Sequence, residues 1–169
     1  MRAGFTTASA DETERAGHAL AGLLRPTDVI ALSGDLGAGK THLVQGVARG
    51  LAVEGAVGSP TFNILLVHRG RLPLYHFDLY RLEREDDLED IDFFETLEGD
   101  GASMIEWGYR FPRALPDDHL LVTIRRTGED RRSFALQAHG ERSAALMTAW
   151  TGALRAAGLA GAVVEEADA

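Results

Sequence analysis

Hydrophobic and polar residues alternate along the chain with clear changes of period. Ser9-Ala10-Asp11-Glu12 has the spacing of a capping box, and behind it Ala16, Leu20, Leu23 and Leu24 recur at helical intervals up to Pro26. Val29 to Leu32 is a short continuous apolar run, the pattern of a strand buried on both faces of a parallel sheet. A glycine-rich turn, 34–39, follows. Leu43, Val44, Val47, Ala48 and Leu51 then mark a second helix, with Gly50 as a stop signal. Residues 62–67 predict a strand, 68–71 a turn and 72–79 the returning strand. An acidic stretch from 81 to 92 overlies an apolar stripe of Leu82, Leu88, Ile91, Phe94 and Leu97, which predicts one or two short helices. Ala102 to Glu106 predicts another strand. Residues 120–124 and 133–137 predict a hairpin, 141–157 a final helix, and 159–169 a frayed tail.

Strand, glycine loop and helix in that order, with more strands and helices after them, predict an α/β fold. The specific expectation is a three-layer sandwich of the P-loop NTPase type, with a central, mostly parallel mixed sheet and a C-terminal antiparallel hairpin. The predicted division is a nucleotide-binding domain over 1–140 and a C-terminal helix with a flexible tail over 141–169.

Composition narrows the function. The chain has 169 residues, of which 45% are hydrophobic and 25% charged, enough for a single core without staples. It has no cysteine, which excludes a disulfide framework, a zinc ribbon and a cysteine nucleophile. A net charge of −9 argues against a protein that grips nucleic acid through its own phosphate contacts. No apolar run reaches about 18 residues, so no membrane span is expected. The polar, acidic stretch from Met1 to Glu14 has no signal-peptide pattern, and a cytoplasmic location is expected. Basic residues number 17, and all but Lys40 are arginine.

That single lysine falls in Gly34-Asp35-Leu36-Gly37-Ala38-Gly39-Lys40-Thr41, a match to G-x-x-x-x-G-K-[ST]. Glycines let backbone N–H groups from Asp35 to Thr41 turn inward around phosphates, and the following helix N-terminus favours anions. Lys40 reaches the β- and γ-phosphates, and the Thr41 hydroxyl sits where it can ligate Mg2+. Guanine recognition in P-loop GTPases uses an Asn-Lys-x-Asp motif. The only asparagine here is Asn63, far from Lys40, so ATP is the expected nucleotide.

A P-loop NTPase also needs a carboxylate at the end of a neighbouring strand. Asp78 and Glu106 both qualify. His76, Asp78 and Tyr80 alternate and so share one strand face, which fits either a functional face or the solvated side of an edge strand. Ser59-Pro60-Thr61 is a rigid turn with two hydroxyls. The pairs Arg125-Arg126 and Arg131-Arg132 predict solvated ends of the hairpin.

Taken with Ser59-Pro60-Thr61-Phe62, His76-Phe77-Asp78-Leu79-Tyr80-Arg81 and Ile105-Glu106-Trp107, the phosphate loop resembles the bacterial TsaE family, formerly YjeE. The order and spacing match over about residues 5–140. The resemblance implies an ATPase that supports synthesis of threonylcarbamoyladenosine in tRNA, at the base beside the anticodon. It implies two partners, the threonylcarbamoyl-transferase subunit TsaD and its companion TsaB, with ATP hydrolysis resetting their complex and tRNA held only indirectly. By position, Lys40 and Thr41 would bind phosphate and Mg2+, and Glu106 would be a second Mg2+ ligand. Asp78 would be the acid near the attacking water, and Thr61 would lie in a loop near the γ-phosphate. Trp107 would lie beside the nucleotide, and the region of Thr6 and Thr7 would approach the adenine. His42 stands where the family more usually has threonine, at the phosphate rim.

Two other readings compete. A small-molecule kinase could use the same fold with Arg110 and Arg113 as a lid, but no acceptor motif is visible. A non-catalytic, nucleotide-gated scaffold would not need the intact set of Lys40, Thr41, Asp78 and Glu106.

Overall fold

The computed structural model describes residues 1–55, 57, 63–159 and 164–166. Its strands are β1 (Arg2–Thr7), β2 (Val29–Ser33), β3 (Leu65–His68), β4 (Leu74–Asp78), β5 (Ala102–Glu106), β6 (Leu120–Arg126), β7 (Arg132–Ala138) and β8 (Val164–Glu166). Its α-helices are α1 (Ala10–Ala21), α2 (Lys40–Gly50), α3 (Phe93–Leu97) and α4 (Glu141–Ala156), with short 3-10 helices at Glu85–Ile91 and Gly108–Arg110. The strands form one sheet in the order β3-β4-β5-β2-β6-β7-β1-β8. Its centre, β4, β5, β2 and β6, is parallel. β3 and β7 run antiparallel to it at either side, and β7 is the return strand of the expected hairpin.

Two apolar clusters make the three layers. On one face α1, α2 and α4 bury Leu20, Leu43, Val44, Val47 and Trp150 against Ile30, Leu32, Met104 and Leu120 of the sheet. On the other face Leu88, Phe93, Leu97 and Phe111 cover Val29, Phe77 and Ile105. The helix at 141–156 therefore shares one core with α1, α2 and the sheet. Trp150 meets Phe5 edge-on at 5.2 Å, and Phe5 stacks on Phe134 at 4.4 Å. The Trp150 indole donates to the Ala16 carbonyl at 2.9 Å, which meets the polar need of this buried ring.

Local signals explain the helix ends and crossings. Ser9 Oγ accepts from Glu12 N at 3.1 Å and Glu12 reaches back to Ala8 N, which begins α1. α1 and α2 cross at a glycine: a Cβ on Gly46 would lie 1.9 Å from the Glu14 carbonyl oxygen. Only glycine permits that approach, and it brings the start of α1 beside the phosphate loop. Arg142 grips Asp28 through two bonds, Nε to Oδ1 at 2.9 Å and Nη2 to Oδ2 at 2.6 Å, and so ties α4 to the entry of β2.

Expectations change at several elements, among them the strand expected over 62–67, which the structure places at Leu65–His68. Arg2–Thr7 forms β1, for which no strand was expected; its buried positions Ala3, Phe5 and Thr7 alternate, but only Phe5 is large. The strand expected over 72–79 is shorter because Pro73 has no N–H for the ladder. Within the segment expected to fray, Val164–Glu166 pairs antiparallel with β1, whose outer edge would otherwise leave its backbone groups unpaired.

The start of α4 is capped from a distance. Asp118 accepts from Arg142 N and Ser143 N, each at 2.8 Å. Burial works to raise the Asp118 pKa, but the bonds from Ser143 and Arg142 and the Arg142 charge bring it below its usual 3.8. A lowered folded pKa adds stability that is full above the ordinary carboxylate range and is lost as pH falls through the lowered value. Asp118→Ala is expected to cost about 1–2 kcal/mol at pH 7. Thermal melts should show the gap between wild type and variant narrowing toward about pH 3, below the unfolded carboxylate value.

Candidate functional site

The loop, both candidate carboxylates and the ends of the parallel strands meet at one edge of the sheet. Parallel pairing brings the C-terminal ends of β2, β4 and β5 together, with Leu32 opposite Glu106 and Asp78 opposite Glu106. Open α/β sheets bind ligands at this end. The loop after β2 turns into α2 through Gly39, whose φ of 112° is left-handed. Glycine adopts that conformation without the steric cost a side chain would bring, and the turn aims the first N–H groups of α2 into the loop.

A cleft of about 550 Å³ opens here. Asp35, Leu36, Gly37, Gly39, Lys40, Thr41, His42, Asp78, Glu106 and Trp107 line it. Ala38 is buried behind the loop. The structure thus brings together nearly every site residue read from the sequence. Leu36, 98% exposed, stands at the rim. His42 lies 3.5 Å from Glu14 on α1, so its ring is turned partly toward the helix crossing. Thr7 lines a second cleft, of about 340 Å³, with Thr6, Ala8, Thr127, Arg131 and Gly158. Its hydroxyl is buried and bonded to that of Thr13 at 2.8 Å, so the β1 end offers that cleft mainly its backbone and Thr6. Thr61, with Ser59, Pro60 and Phe62, lies outside the described residues.

Charge in the cleft is tightly arranged. Lys40 and Glu106 are 8% and 5% exposed. The Lys40 ammonium donates to the Gly34 carbonyl at 2.6 Å, lies 4.0 Å from Glu106 Oε1 and sits 5.1 Å from the centre of the Trp107 ring. Phosphate oxygens would replace the carbonyl as a stronger, charged acceptor. Asp78 is half-buried, and burial pushes its pKa up, with the neighbouring Glu106 carboxylate adding to the rise. A divalent cation between these two strand ends would relieve both effects, so the donor set fits Mg2+. Among the described residues no three His, Asp or Glu side chains form a cage for a metal.

Three features extend the sequence reading. His76 is fully buried on β4, an interior strand, which removes the edge-strand alternative. Its Nε2 bonds Glu106 Oε2 at 2.8 Å, so it holds one carboxylate oxygen and leaves the other facing Lys40. Trp107 has φ 63°, a left-handed conformation rare for a bulky residue, and its ring lies 4.9 Å from that of Tyr80. Arg132, expected to be a solvated hairpin end, instead lines the cleft. Only the register of β7 against β6 and β1 could have revealed that. Arg110, considered as a lid residue, donates to the Tyr80 carbonyl.

The family model for threonylcarbamoyl adenosine biosynthesis protein TsaE matches residues 7–134. The chain is 40% identical over 139 residues to the tRNA threonylcarbamoyladenosine biosynthesis protein TsaE of Bacillus subtilis (strain 168), across 82% of this chain and 87% of the relative. It is 43% identical over 134 residues to the protein of the same name from Streptomyces coelicolor, across 75% of this chain and 90% of the relative. A crystal structure of YdiB from Bacillus subtilis matches the fold with a TM-score of 0.77 and 32% identity, over 90% of this chain and 95% of that one. Matching in sequence over most of its length, and in fold across the sheet that carries the cleft, the chain belongs to the TsaE family of threonylcarbamoyl adenosine biosynthesis proteins.

Proposed function

We propose that this protein binds Mg2+-ATP in the cleft at 34–42 and hydrolyses it in support of threonylcarbamoyl transfer to tRNA. The observation that carries this reading is the convergence of Lys40, Thr41 and two adjacent carboxylates at the ends of parallel strands. Lys40 binds the β- and γ-phosphates, and the loop N–H groups cradle the diphosphate. The base extends toward the second cleft, beside Thr6 and Thr7. Thr41 and Glu106 would hold Mg2+, which when bound would supply neutralising positive charge at the phosphates. His76 keeps Glu106 oriented, and Asp78 orients the attacking water. Trp107 walls the site beside the Lys40 ammonium, and Thr61 acts from its loop near the γ-phosphate.

The partners are a TsaD-like transferase subunit and a TsaB-like companion, whose complex ATP hydrolysis resets between turnovers. A net charge of −9 suits a subunit that meets tRNA only through them. The setting in this reading is the cytoplasm, alongside the tRNA and these partners.

Turnover by the isolated protein is expected to be slow. Among the described residues lining the cleft, the only guanidinium is that of Arg132, which comes from the flank away from Asp78 and Glu106. A partner that supplied a cation at the γ-phosphate could raise the rate by orders of magnitude. Steady-state ATPase assays with and without the two transferase subunits test this. Acceleration by the partners is expected. Fast turnover that partners leave unchanged would remove the coupling and keep the ATPase.

A further inference from the structure

The β6–β7 hairpin brings a guanidinium to the phosphate loop from the side opposite the carboxylates. In the order β4-β5-β2-β6-β7, Asp78 and Glu106 flank the loop after β2 on one side and Arg132 on the other. Arg132 Nη1 rests on the hairpin's own carbonyls, those of Gly128 at 3.5 Å, Glu129 at 3.3 Å and Arg131 at 2.9 Å. Its other edge faces the loop. Nη2 lies 3.4 Å from the Gly37 carbonyl, and a Cβ on Gly39 would lie 3.6 Å from Nε. Every partner of Arg132 among the described residues is a carbonyl; none is a carboxylate.

An arginine whose Nη1 is held by the hairpin carbonyls, with Nη2 on the Gly37 carbonyl and Nε beside Gly39, turns its Nε–Nη2 fork toward an anion-binding loop and can exchange that one loop carbonyl for bidentate capture of phosphate. We propose that Arg132 grips the diphosphate shared by ADP and ATP, a contact that rests on the nucleotide reading of the cleft. Its flank sets which phosphates it reaches. The γ-phosphate belongs on the side of Lys40, Glu106 and Asp78. Arg132 stands on the side that leads to Thr127, Arg131 and Thr6, where the nucleoside lies. The hairpin thus closes over the nucleotide as a positioning arm and leaves the hydrolytic end to the carboxylates.

Calorimetry with ADP and with a non-hydrolysable ATP analogue tests this on the full chain. Arg132→Ala is expected to raise Kd about tenfold for both ligands alike, with Arg132→Lys recovering part of the loss because charge remains but the fork does not. Arg125→Ala, which removes an exposed charge from the same hairpin outside the cleft, opposite Ser133 rather than Arg132, is expected to leave Kd unchanged. Kinetically, Arg132→Ala raises KM and leaves kcat within about twofold. Melting curves of both Arg132 variants establish that they are folded, and Arg132→Lys carries the test if the alanine variant is not. Unchanged ADP affinity, a loss confined to the ATP analogue, a loss in kcat alone, or an equal loss in Arg125→Ala each overturns the proposal. Lys40→Ala separates the two levels: if it binds ADP as the wild type does, the nucleotide reading itself fails. If Lys40→Ala loses binding and the Arg132 variants do not, only the role of Arg132 fails.

Discussion

Lys40→Ala is expected to weaken ATP and ADP binding at least about 100-fold, a loss of roughly 3 kcal/mol or more. The chain contains no other lysine, and the Lys40 ammonium is buried between the Gly34 carbonyl, Glu106 and the Trp107 ring. Removing it takes away the principal cation of the loop and leaves Glu106 facing the phosphates uncompensated. Lys40→Arg should also fail in large part, because a planar fork does not fit a pocket shaped for a compact ammonium. Titration calorimetry reads both variants, and unchanged affinity in Lys40→Ala would refute the loop assignment.

The two carboxylates are expected to separate binding from chemistry. Glu106→Gln removes a Mg2+ contact and should abolish most of the Mg2+-dependent gain in nucleotide affinity, about tenfold. Asp78→Asn should leave affinity within about threefold and lower kcat about 100-fold or more, since orientation of the water matters chiefly in the transition state. Supporting this order, Glu106 is the more buried of the pair, is held by His76 and faces Lys40, while Asp78 is half-buried. Mg2+ titrations beside steady-state rates measure both variants. A loss of Mg2+ dependence in Asp78→Asn with none in Glu106→Gln would reverse the roles.

Legibility followed how locally each signal is encoded. β2, the glycine loop and α2 were readable together because an apolar run, a turn and an amphipathic helix lie next to one another in the chain. β5 was read with the bounds the structure has, and the hairpin was placed to within a few residues. β1 escaped because two of its three inward positions are alanine and threonine, which carry a weak period-two signal. β8 escaped because a three-residue strand is defined by its neighbour β1 rather than by its own pattern. The fully buried state of His76 could not be inferred, since alternation fixes which residues share a face and not what covers that face.

The sequence by itself determined the make-up and placing of the glycine loop between β2 and α2. Gly34 to Thr41 is one contiguous segment, and its glycines, lysine and hydroxyl have their meaning at fixed spacing whatever surrounds them. It also determined that two carboxylates end apolar strands. Only the tertiary structure made those carboxylates neighbours, because β4 and β5 pair in parallel with Asp78 opposite Glu106. It alone placed His76 on Glu106, 30 residues away, and turned Arg132 toward Gly37, 95 residues away. The physical reason is that strand order and register are set by the burial of two apolar clusters on opposite sheet faces, a property of the whole chain. Side chains at the sheet edge inherit their partners from that packing, so the site combines a local phosphate loop with a non-local set of charges.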